Sequence, residues 1–220
     1  MTEMFGENLR AEVSSEDAAR RLTDYLNFTG AEFERYGRND APHRVTADDI
    51  VAVTMLSIWI KPSLKRGLSP ERIIKLERQA GRISDILQWV PDNLDLSSVS
   101  ETEFQRLFGP DGHVRKLFTL LSSDLELGNV VAHKILARKR PRLIPIRDSR
   151  SERVLGHPQS WWRSWWEAMS DPALVDRLEE LRRQAECERF SILRTADVVV
   201  WMKQPNQPDT SDEDFEVGEG

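Results

Sequence analysis

From Leu125 to Arg150 the chain reads LELGNVVAHKILARKRPRLIPIRDSR, and several of these residues are of types that can do chemistry. Gly128 lacks a Cβ, so it tolerates positive φ and lets an anion approach backbone N–H groups closely. Asn129 adds a polar side chain to that turn. Lys134, Arg138, Lys139 and Arg140 are suited to sequence-independent contact with phosphates. Asp148 follows a proline-bounded apolar strip, where a carboxylate can stabilise a developing cation or orient an attacking water. Each also has an ordinary structural explanation. Gly128 can simply link two helices, and the charge run can be a solvated helix face. Asp148 can be the N-cap of a helix over Ser149–Leu155, with Arg147 or Arg150 as an ion-pair partner.

Charge is distributed unevenly around this segment. The formal net charge is -6, but residues 207–220 hold six acids and no base. Setting that tail aside leaves 31 acids against 31 bases, so the body is neutral. Residues 133–153 hold eight Lys or Arg and two acids, a basic strip suited to an anionic partner. The acidic tail is itself a candidate to cover that strip from within the same chain.

Other chemistry-bearing residues are sparse. Trp161, Trp162, Trp165 and Trp166 form an aromatic stripe at helical spacing, which reads first as a core face. Trp161 and Trp165 are also candidates to line a base pocket. His113, His133 and His157 carry no recognisable arrangement, and Cys187, the only cysteine, has no histidine partner in the pattern. Disulfides within the chain and thiolate zinc sites are excluded, and neither a metal nor a cofactor is expected.

The elements that must position these residues read as helices. Residues 1–13 are expected to be a loose leader, and 14–204 a single helical domain. A first helix is predicted over about 15–27, capped by Ser14, and a buried central helix after Thr46, ending at Pro62. Ser69-Pro70 and Ser100 to Glu103 mark two further helix starts. A helix-turn-helix is predicted over about 114–139, and Asp171-Pro172 and Ile192 open the last two helices. Residues 205–220 are predicted to be disordered. No period-2 pattern convinces, apart from a short extended stretch at Leu143 to Ile146. The fold class is therefore all-α. No apolar run is long enough for a membrane span, and no signal core opens the chain, so a cytoplasmic protein is expected.

L-E-L-G-N-V-V-A-H-K-I-L resembles the helix-hairpin-helix of the DNA glycosylase superfamily, whose usual form is L-P-G-V-G-x-x-T-A. Gly128 matches the second glycine, Leu127 the residue between the glycines, and Ala132 the alanine. The following P-R-L-I-P-I-R-D is similar to the segment that carries the superfamily's catalytic aspartate, which places Asp148 there. The resemblance implies a helix-hairpin-helix glycosylase-like helical domain that binds duplex DNA by its backbone and excises a damaged or modified base. Glu126 and Val131 stand where the usual form has glycine and threonine. Val130 stands where lyase-competent members carry a lysine, so the implied activity is monofunctional, with no lyase step. The chain also resembles an uncharacterised bacterial family that shares K-x-L-A-R-K-R-P-R-L-I-P-I-x-D and an apolar helix near D-V-V-V-W-M. That resemblance covers about Asp48 to Met202 and implies no activity. The alternative is a non-catalytic DNA-binding, protein-interaction or regulatory domain on the same scaffold. The sequence leaves the oligomeric state open.

Overall fold

A computed structural model describes residues 2–36, 41–58, 60–61 and 67–203, and every regular element among them is helical. The chain opens on α1 (Thr2–Ser14) rather than on a loose leader. Phe5, Leu9 and Val13 recur at helical spacing and are buried in the core, which anchors this segment. Ser14 is the last residue of α1, and the helix predicted over 15–27 is the shorter α2 (Ala18–Tyr25). A short α3 (Glu32–Arg35) follows.

Local signals place the next starts well. Thr46 opens α4 (Ala47–Thr54) with a capping box, in which the Asp49 carboxylate accepts from the Thr46 backbone N–H at 2.9 Å. Ser69 caps α5 (Pro70–Arg78), and α6 (Ala80–Leu87) follows it. Ser100 caps α7 (Glu101–Phe108), and α8 (His113–Thr119) runs on through a wide helical turn at Leu120–Asp124. Then come α9 (Gly128–Lys139), α10 (Ser149–Leu155), α11 (Trp161–Met169), α12 (Pro172–Gln184) and α13 (Ile192–Trp201). Pro62, expected to end α4, lies outside the described residues, as does the acidic tail from 204 onward. The extended stretch at Leu143 to Ile146 pairs with no strand among the described residues.

Two helices have no solvent face over most of their length. Residues 131–140, covering α9 and its C-cap, are buried throughout, and so are residues 192–200 of α13. The first packs against α4 and α8, the second against α1, α2, α10 and α12. The apolar α4 was expected to be the central helix, yet Val51 and Thr54 on it and Met55 just past its end are only half-buried. The molecule is organised around α9 and α13 instead.

The turn into α9 has two left-handed positions, Glu126 at φ 58° and Gly128 at φ 76°. Leu127 between them is 1% exposed and pins the turn to the core. Glu126 is a non-glycine residue in a region that costs about 1–2 kcal/mol for an L side chain. Its carboxylate reaches Lys75 at 2.8 Å, and its carbonyl accepts from the Gly67 N–H at 3.3 Å.

Candidate active site

The four cations expected on an exposed strip are turned inward. Lys134, Arg138, Lys139 and Arg140 are 1%, 7%, 1% and 0% exposed. Lys134 Nζ donates to the carbonyl of Leu56, just past the end of α4, at 2.8 Å. Arg138 donates to the carbonyls of Phe33 and Tyr36 at the end of α3. Arg140 donates to Leu87 and Val90, where α6 ends, at 2.7 and 2.8 Å, and to Pro42 at 2.6 Å. Each of these helix ends leaves carbonyls without intrahelical partners and carries partial negative charge, which a buried cation satisfies. Lys139 Nζ instead meets the Asp49 carboxylate at 2.8 Å, with Arg138 Nε 3.5 Å from the same group. Burial lowers the Lys139 pKa and brings that of Arg140 down to about 10. These charges are spent on holding α3, α4 and α6 around α9.

Asp148 is the N-cap of α10. Its Oδ1 accepts from Ser151 N–H at 2.9 Å and from Ser151 Oγ at 3.0 Å. It also lines a cavity, with Ser151 beside it and Tyr25, Arg194, Asp197 and Trp201 also lining it. The cavity measures about 10 Å³, the room that one water needs.

Asp197 is the residue that sequence reasoning did not assign. It sits on α13, 3% exposed, between Ala196 and a run of three valines. Its Oδ2 accepts from Ile146 N–H at 3.2 Å, while Oδ1 is buried with no hydrogen-bond partner among the described residues. Burial pushes its carboxyl up to about 8, and the nearby charges of Asp148 and Glu34 push the same way. The Arg194 guanidinium opposes this from 3.9 Å, too far for a hydrogen bond. Asp197 therefore keeps its proton at pH 7. A lone acid inside an apolar helical run was the available signal.

Arg194 is held elsewhere. It donates to Glu34 and, at 2.8 Å, to the Tyr25 hydroxyl, which donates in turn to the Gly30 carbonyl at 2.6 Å. Burial raises the Tyr25 pKa. At the edge of the cavity Trp201 lies under the Arg150 guanidinium at 4.2 Å and edge-on to Phe28 at 6.4 Å.

The remaining candidates are placed as follows. Gly128 is half-buried and Asn129 exposed, at the start of α9. Trp161 and Trp165 are 4% and 0% exposed and pack edge-on against Phe5, so they belong to the core and do not line the cavity. His133 is buried against Phe118 and Trp162, donates to the Asn129 carbonyl at 2.8 Å, and has its pKa lowered by burial to about 3. His113 stacks on the exposed Trp89. His157 is exposed. Burial pushes the Cys187 thiol up to about 11, which leaves it a poor nucleophile. Among the described residues no three His, Cys, Asp or Glu side chains cluster as a metal site requires, and no helix is long and apolar enough to cross a membrane.

The fold and site define an all-helical protein with a pair of buried carboxyl groups on one small cavity. Residues 16–204 match the model of DUF6308, a family of unknown function, and the chain belongs to that family. No curated protein and no solved structure matches it.

Proposed function

We propose that the protein is a monofunctional hydrolase of N-glycosidic bonds in DNA. The observation that carries this reading is the Asp148–Asp197 pair, two carboxyl groups on one cavity, of which burial raises the pKa of Asp197. Paired groups whose environments differ suit acid–base division of labour. Asp197 donates its proton to the departing base as the C1′–N bond breaks and its electrons leave with the base. Asp148 stabilises the sugar cation and orients the water whose oxygen bonds to C1′, and it takes that water's proton. The nucleic acid is held by the backbone N–H groups of the hairpin at Gly128 and Asn129, since α9 begins without a side-chain cap. Lys134, Arg138, Lys139 and Arg140 have no part in that contact.

A second reading is a non-catalytic binding domain. The size of the cavity favours it, because a space of about 10 Å³ admits a water and no base. Base release from a panel of lesion-bearing duplexes decides between the two, with wild type, Asp148→Asn and Asp197→Asn compared. The enzyme reading expects a loss of roughly 10²–10³-fold for Asp148→Asn. Its wild-type rate falls above pH 8, as Asp197 loses its proton. Equal rates for all three proteins sink it.

A further inference from the structure

The cavity shared by Asp148 and Asp197 has room for one water, yet one of its walls differs from the rest. Of its nine lining residues eight are buried, and only Trp201 is half-buried. Trp201 therefore stands between the two carboxyl groups and solvent. It is the last residue of α13, at the end of the helix's hydrogen-bond ladder, where helices fray first.

Its side chain is held in an unusual way. Trp166 anchors its indole by donating to the Val99 carbonyl at 2.7 Å. The Trp201 indole makes no hydrogen bond among the described residues, and its neighbours are two rings and a cation. The Arg150 guanidinium lies over its face at 4.2 Å, with Tyr25 edge-on at 6.2 Å and the exposed Phe28 edge-on at 6.4 Å. Such contacts accept any ring with a π-face, so one planar ring can replace another there. Behind Trp201 the cavity is polar. Asp197 Oδ1 is buried with no hydrogen-bond partner among the described residues, and Asp148, Ser151 and Arg194 line the same space. Indole carries one donor and no acceptor, whereas a nitrogen heterocycle of the same outline carries both.

We propose that the Trp201 indole fills the slot of a purine base, and that the base enters by displacing it. The purine stacks on the Arg150 guanidinium and turns its nitrogen edge to Asp148 and Asp197. The plug sets the size, since indole and purine are each a five-membered ring fused to a six-membered one. A single-ring pyrimidine leaves part of the slot empty. This rests on the hydrolase reading and deepens it, because it names the class of base released.

The test is binding of adenine and uracil to the full chain. In wild type it is followed by NMR at the Trp201 indole N–H, whose signal is identified by its loss in Trp201→Phe. Calorimetry compares affinities in wild type and Trp201→Ala. Adenine is expected to move the Trp201 signal saturably, and uracil at the same concentrations to leave it in place. Trp201→Ala should bind adenine about tenfold more tightly than wild type, because no ring has to be displaced first, and uracil roughly tenfold more weakly than adenine. The proposal is overturned if adenine produces no saturable shift in wild type. Equal affinities for adenine and uracil also overturn it, as does an unchanged adenine affinity in Trp201→Ala. Adenine binding needs no bond cleavage, so the slot and the hydrolase fail separately. Binding coupled to Trp201 without base release from any duplex keeps the slot and removes the hydrolase. Base release without a shift at Trp201 keeps the hydrolase and removes the slot.

Discussion

α9 and α13 are both buried helices that carry charge into the interior, yet they use it differently. On α9 and its C-cap every cation is answered: Lys134, Arg138 and Arg140 reach carbonyls at the ends of neighbouring helices, and Lys139 meets the Asp49 carboxylate. On α13 the charges balance less evenly. Arg194 is satisfied by Glu34 and Tyr25, whereas one oxygen of Asp197 has no partner and the group is kept neutral by burial. A buried cation held by a helix-end carbonyl or a carboxylate serves the fold. A buried acid left short of partners, beside a cavity and a second carboxylate, has capacity left for chemistry.

The comparison breaks most clearly at Asp49. Asp49→Asn removes the negative charge that faces Lys139 and Arg138, both buried. Losing one partner of a buried pair costs roughly 3–5 kcal/mol. Urea unfolding should show that loss; a change below about 1 kcal/mol would mean that α9 does not depend on its charges.

Asp197→Asn should behave in the opposite way, and its effect is pH-dependent. The carboxyl titrates near 3.8 when unfolded and at about 8 when folded. Between those values the unfolded chain has released a proton that the folded chain retains. Wild-type stability therefore falls as pH rises from about 4 to about 8, and the penalty is complete above that. Asparagine carries no proton to lose and can still accept from Ile146 N–H. The urea midpoint of Asp197→Asn should accordingly fall less than that of wild type between pH 5 and pH 8.5. Parallel declines in the two proteins would place the raised carboxyl elsewhere.

The smallest effect concerns the entry to α9. Gly128→Ala puts a Cβ on a residue at φ 76° and should cost about 1 kcal/mol, seen as a lower Tm. No change in Tm would mean that the turn relaxes to negative φ. That would remove the geometric support for the hairpin.

Much of the fold was legible in short patterns. Thr46, Ser69-Pro70, Ser100 and Asp171-Pro172 each mark a helix start where the structure has one, because capping depends on residues two or three positions apart. The leader was misread because a charged opening hid the period of Phe5, Leu9 and Val13. Asp148 was found as a residue and as a cap, but its cavity was not. That cavity needs Tyr25 from the start of the chain and Asp197 and Trp201 from its end.

The sequence by itself determined the all-helical class, the caps and the glycine turn, all consequences of local sterics and hydrogen bonding. Only the tertiary structure decided what the charges are for. Arg138-Lys139-Arg140 has the composition of a solvated face, and three consecutive residues on a helix point in three directions. Solvent or a neighbouring helix end can meet each of them, and the surroundings of α9 settle which. Asp197 was likewise one acid in an apolar run, until packing brought it onto a shared cavity with Asp148, 49 positions away in the chain. Burial and pairing across such separations are properties of the assembled core, and no local pattern encodes them.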